Sequence, residues 1–174
     1  MFRDGYSIPR VFRRDILVTL ALGLALSVAI HGPAIEALTG RIIPGGPTSD
    51  NLRALWSTWF VGQSLPGLPF VSDLSKYPSG VEFLPVPLLT LLAVSPITRM
   101  VDPAAGLATI GFAHTILAVA GGAFLARTMG ARPGGALLAG GLLATLPPLS
   151  LSLREGVFEY QTIGWLPLQL AALV

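Results

Sequence analysis

Residues 104–126 read Ala-Ala-Gly-Leu-Ala-Thr-Ile-Gly-Phe-Ala-His-Thr-Ile-Leu-Ala-Val-Ala-Gly-Gly-Ala-Phe-Leu-Ala, and carry no formal charge. A helix rises 1.5 Å per residue, so about 20 residues cross a hydrocarbon core of about 30 Å. This stretch is long enough, and His114 is its one polar intruder. The rest of the chain agrees. Of 174 residues, 52% are apolar and 11% charged, and the mean hydropathy is +0.71. A soluble domain needs roughly a quarter charged residues to hold water at its surface. The charges here are too few and cluster between neutral runs, so a bilayer is the solvent that fits. The absence of cysteine excludes disulfides, thiolate metal sites and cysteine nucleophiles. A net charge of +2 without a basic stripe gives no reason to expect a nucleic-acid partner.

Working outward from that span predicts an all-α fold, a polytopic transmembrane helical bundle with an extracytoplasmic juxtamembrane helix, in a single domain over 1–174. Residues 1–15 form a basic tail, with Arg3, Arg10, Arg13 and Arg14 against Asp4 and Asp15. Uncharged Ile16 to Ile35 follows and makes a first span over 16–38. The arginines before it belong in the cytoplasm by the positive-inside rule. A signal peptide shares this pattern, but further apolar runs favour a retained helix.

Residues 39–80 form the longest polar stretch, an outer loop. After the turn cluster Pro44-Gly45-Gly46-Pro47, Ser49 or Asp50 can cap a helix through Gln63, with Leu52, Leu55, Trp56, Trp59 and Phe60 at helical spacing. Its tryptophans suit a helix at headgroup level. Residues 83–98 contain Pro85, Pro87 and Pro96 and either span or re-enter. Residues 134–153 are the next span, kinked at Pro147-Pro148. An outer loop at 154–161 leads to the start of a further span at 162–174. If Arg127 and Arg132 share the side of the N-terminus, an even number of crossings separates them; 83–98 is then re-entrant or surface-lying. Two small-residue ridges, Ala118/Gly122/Ala126 and Ala136/Gly140/Ala144, suit close helix packing.

No Walker A loop, zinc-binding His-Glu pair, nucleophile elbow or dinucleotide fingerprint occurs. His31 lies near a span end, where interfacial water suffices; His114 lies mid-span, where a bond to a neighbouring helix is expected. The remaining candidates are the outer-loop carboxylates Asp50, Glu155 and Glu159. The plain alternatives are a helix cap for Asp50 and surface solvation for the glutamates.

The stretch Ser49-Asp50-Asn51-Leu52-Arg53-Ala54-Leu55-Trp56, with Trp59 beyond it, resembles the first outer loop of GT-C-type glycosyltransferases. So do Tyr77-Pro78-Ser79-Gly80, Pro85-Val86-Pro87, Leu125-Ala126-Arg127, Glu155-Gly156 and Trp165-Leu166-Pro167-Leu168, in that order. The family consists of polytopic bacterial proteins that take sugars from polyprenyl-phosphate carriers. The resemblance implies a multi-pass protein of the bacterial cytoplasmic membrane with a cytoplasmic N-terminus. Asp50 is then the expected base or an anchor for a divalent cation, magnesium or manganese. Glu159 is expected as the second ligand with Glu155 in reserve, and both glutamates as catalytic candidates. Arg53, Lys76 and Tyr77 are expected beside the lipid-linked sugar, with Trp56 and Trp59 holding the loop helix at the interface. Two positions depart from the family pattern, Val157 after the glycine and Gly164 before the tryptophan. Such enzymes also have more spans than this chain contains, so an N-terminal part is expected. The alternative is a non-catalytic transmembrane subunit that packs against partner helices of a larger complex.

Overall fold

Asp102 begins the longest helix. Its carboxylate accepts from the Ala104 N–H at 2.7 Å, and Pro103 fills the first helical position, where no donor is needed. The computed structural model describes residues 10–39, 43–44, 49–64, 71–72, 81–82, 88–151 and 164–173. Among these the helices are α1 (Arg10–His31), continued as a 3-10 segment (Gly32–Thr39), α2 (Ser49–Ser64), α3 (Leu88–Met100), α4 (Pro103–Thr128), α5 (Pro133–Ala144), α6 (Pro147–Ser150) and α7 (Leu166–Ala171). The helical class holds, with one small departure. Val71–Ser72 (β1) pairs antiparallel with Val81–Glu82 (β2), in the register Val71 to Glu82 and Ser72 to Val81.

α4 is the axis of the fold. It ends where Gly130 takes φ +88°, which only glycine adopts without strain; Gly130 N–H reaches Arg127 O and Ala131 N–H reaches Ala126 O. α1 runs antiparallel to it: Gly23 lies against Ile116, and Ser27 Oγ donates to Phe112 O at 3.0 Å. α5 turns back along α4 beside α1, with Gly140 against Val119 and Ala123 and Gly122 against Gly140. The two small-residue ridges therefore meet. α2 and α3 cover the first half of α4. Gly62 faces Thr98, and Gly106 faces both Thr98 and Thr58, while Arg99 Nε donates to Gly62 O. A core of Ala34, Ala37, Ala54, Val61, Leu91, Val94, Leu107, Ala108 and Ile110 fills this end. α7 runs parallel to α4, with Gly164 beside His114 and Ala118 and Leu168 beside Gly121.

Two helical stretches, Arg14–Thr39 and Pro103–Thr128, are long and apolar enough to cross a membrane. The span expected over 134–153 is broken more sharply than a kink. α5 stops at Ala144, and α6 starts at Pro147, because neither Pro147 nor Pro148 can donate to the preceding turn. Of the 83–98 segment, 83–87 lie outside the described residues, and from Leu88 the chain is helical for 13 residues, about 20 Å.

The side chains are sorted inside-out. Along α1 and its continuation the buried positions are Gly23, Ser27, His31, Ala34 and Ala37, small or polar, while Leu17, Leu20, Leu24 and Val28 face outward. In α2 the buried face carries Asn51, Ala54, Ser57, Thr58 and Val61, and Leu52 and Trp59 face out. Three of the buried hydroxyls are satisfied within their own helices: Ser57 donates to Arg53 O, Thr58 to Ala54 O and Thr115 to Gly111 O. In water each outward leucine would forgo up to roughly 2 kcal/mol of burial. Against lipid nothing is forgone, so the sorting suits a bilayer.

Candidate functional site

α2 carries the described part of the site. Asp50 lies in its first turn, where the unpaired N–H groups and helix dipole favour a carboxylate. It sits inside the helix, one residue past Ser49. Arg53 stands one turn on, with Nη2 4.0 Å from Asp50 Oδ1. The two side chains are 57% (Arg53) and 53% (Asp50) exposed. An exposed pair at that distance contributes at most about 1 kcal/mol to stability.

Below them, Trp56 stacks on Phe60 with ring centroids 5.1 Å apart and planes 12° from parallel. Trp59 faces outward. Of the residues expected to form the apolar face of α2, Leu52 and Trp59 are exposed, Leu55 and Trp56 are half-buried and Phe60 is buried, so that face is divided between the outside and the core. Small and polar residues, Asn51, Ala54, Ser57 and Thr58, make up much of the inward stripe. Lys76, Tyr77, Glu155 and Glu159 lie outside the described residues. The structure therefore groups Asp50, Arg53, Trp56 and Trp59 on one helix.

A divalent cation needs more than Asp50. Among the described residues no three Asp, Glu, His or Cys side chains come together. The nearest charged neighbour of Asp50 described is the Arg53 cation, which by itself disfavours a metal there. Any such site depends on the glutamates of the 154–161 loop.

Both histidines do structural work that spacing shows only in part. His31 is buried at the foot of α1, and its Nε2 lies 2.9 Å from Thr115 Oγ1. Where its place near a span end predicts interfacial water, the described partner of Nε2 is Thr115 of α4. Thr115 already donates to Gly111 O, so its oxygen accepts from the His31 Nε2–H. His114 does bond a neighbouring segment. Trp165 Nε1 lies 3.1 Å from His114 Nε2, and an indole can only donate. The proton of His114 therefore sits on Nδ1, which donates to Ile110 O at 2.9 Å. Asp102, which caps α4, and Trp165, which donates to His114, are structural residues as well. An Asp-Pro pair before an apolar run is a readable helix start, whereas the Trp165 contact has no local sequence signal.

Comparison with known protein families, with curated proteins and with solved structures finds no match to this chain.

Proposed function

We propose that the chain is a membrane glycosyltransferase of the GT-C type, or the N-terminal part of one, in the bacterial cytoplasmic membrane. It would transfer a sugar from a polyprenyl-phosphate carrier to an acceptor outside the cytoplasm. The supporting observation is the Asp50–Arg53 pair, exposed side by side at the head of a helix whose outer face carries Leu52 and Trp59. That helix follows the first long apolar helix and packs at the end of α4 remote from Arg127.

The chemistry asks for a base and a cation a few ångströms apart. The acceptor hydroxyl oxygen forms a bond to the anomeric carbon as the bond from that carbon to the carrier phosphate oxygen breaks. Asp50 takes the hydroxyl proton, and Arg53 pairs with the phosphate as it gains charge. Lys76 and Tyr77 belong beside the same phosphate and sugar, and Trp56 and Trp59 anchor α2 at the interface. In the alternative role Asp50 would not be the base but, with Glu159 and with Glu155 in reserve, would hold a divalent cation, which would neutralise the leaving phosphate.

Asp50→Asn in the full-length protein, assayed for sugar transfer in membranes, is expected to lose activity by about 10²-fold or more. Undiminished transfer removes Asp50 from the mechanism.

The close glycine contacts between α4 and α5, and the apolar outer faces of α1 and α5, favour a second reading, a non-catalytic transmembrane subunit. Stoichiometric co-purification with other membrane proteins in mild detergent, with no lipid-sugar binding, would select it.

A further inference from the structure

At the other end of the fold, α1, α4 and α5 leave a cleft of about 530 Å³, lined by Arg14, Asp15, Val18, Thr19, Arg127 and the residues Pro133, Ala136 and Leu137 of α5. It is a wedge. Deeper in, α1 and α5 share a cluster in which Leu22 and Leu26 pack with Leu143, and a Cβ added at Gly141 would lie 4.0 and 3.8 Å from Leu22 and Leu26. Toward the end they diverge, and a side chain at Gly134 or Gly135 would meet nothing within 4 Å. Two guanidinium groups frame the mouth. Arg14 lies at the start of the first long apolar stretch and Arg127 at the end of the second. Arg127 Nη1 donates to Ala131 O at 2.6 Å, which fixes the side chain and leaves its other N–H groups available. Asp15 contributes one negative charge, so the mouth retains a net positive charge. Thr19 Oγ1 is engaged with Asp15 O at 2.7 Å. Below the arginines the wall is Val18, Ala136 and Leu137, and it opens onto the apolar outer face of α1 at Leu17 and Leu20.

We propose that this cleft binds an anionic glycerophospholipid, its phosphate between Arg14 and Arg127 and the upper part of one acyl chain along Val18 and Leu137. The chemistry is complementary at both levels. Guanidinium groups pair with phosphate in charge-assisted hydrogen bonds, and basic pockets between membrane helices select acidic headgroups. A free phosphate would use only the mouth and leave the apolar wall bare. The inference rests on membrane residence and is independent of the transferase chemistry at Asp50.

The full chain, purified in a neutral detergent, is titrated with dioleoyl phosphatidylglycerol or dioleoyl phosphatidylcholine and the bound lipid counted by native mass spectrometry. Phosphatidylglycerol is expected to be retained in preference to phosphatidylcholine. Arg14→Gln and Arg127→Gln each lower that retention about fivefold, Arg14→Lys with Arg127→Lys keeps most of it, and Arg132→Gln, at an exposed arginine outside the cleft lining, changes little. Equal retention by the Arg14→Gln/Arg127→Gln variant, or equal loss in Arg132→Gln, overturns the site. Displacement of the lipid by glycerophosphoglycerol alone also overturns it, since the mouth would then suffice. Alkaline carbonate extraction of cell membranes separates the two levels of failure. A chain released by carbonate defeats membrane residence and this site together; a chain that stays while lipid retention is unselective defeats the site alone.

Discussion

Replacing Gly140 by alanine adds one methyl group at the tightest approach of α5 to α4. A Cβ there meets the carbonyl oxygen of Val119 well inside van der Waals contact, and the Ala123 nitrogen at 3.1 Å. Both are backbone atoms in a regular helix, so neither can swing aside as a side-chain tip can. The helices must separate, which loosens the facing contact in which a Cβ at Gly122 would lie 2.9 Å from Gly140 Cα. It also disturbs the cluster of Ala118, Val119 and Ala144 with Leu22, Leu26 and Leu143. Overpacking of this kind costs about 1–3 kcal/mol. Alanine is the better helix former by about 1 kcal/mol, so the expected net effect is a loss of up to about 2 kcal/mol. Two neighbours serve as controls on the same helix. Gly135→Ala enters open space and should gain a few tenths of a kcal/mol from propensity. Gly141→Ala meets Leu26 at 3.8 Å, an ordinary contact, and should be close to neutral or stabilising. Stability is read as loss of tryptophan signal during SDS titration in mixed micelles. The reasoning fails if Gly140→Ala unfolds no earlier than Gly135→Ala.

Trp165→Phe leaves His114 Nε2 without its donor and should cost about 1–3 kcal/mol, whereas the double variant with His114→Phe should recover part of that loss. Equal losses for single and double variants in the same titration would show that the ring packing, and not the hydrogen bond, matters. Thr98 Oγ1 is buried without a hydrogen-bond partner among the described residues, so Thr98→Val should leave stability unchanged or raise it by about 1 kcal/mol. A loss above about 1 kcal/mol would mean that the hydroxyl is paired in the folded protein.

The two long apolar helices were legible because a hydrocarbon core demands a run of about 20 apolar residues, and no local competition disturbs such a signal. The α2 helix was legible from the spacing of its aromatic residues, and the contact of the two ridges from small residues four apart. What the sequence hid were matters of facing and of long-range contact. Leu52, Leu55, Trp56 and Trp59 share a helix face in any environment, but whether that face points to a core or to lipid depends on the neighbours. His31 sits near the end of an apolar run, and only folding brings Thr115 to it. The β1–β2 pair is two residues long on each strand, below the length at which alternation can be read. For the site, Asp50 and Arg53 are three apart on a helix, so their proximity follows from helical geometry. The link to Glu155 and Glu159 is long-range, and no periodicity can supply it.

The chain has no cysteine, so single cysteines can report which side of a membrane each end of the bundle occupies. Thr39 closes the first long apolar stretch and is exposed, and Met129 follows the second and is 74% exposed. Because α1 and α4 run antiparallel, Met129 lies at the Arg14 end and Thr39 at the opposite one. In intact spheroplasts an impermeant maleimide should label Thr39→Cys directly and Met129→Cys only after permeabilisation. Labelling of both from the same side, or of both at equal rates before permeabilisation, would contradict a pair of antiparallel helices crossing the bilayer.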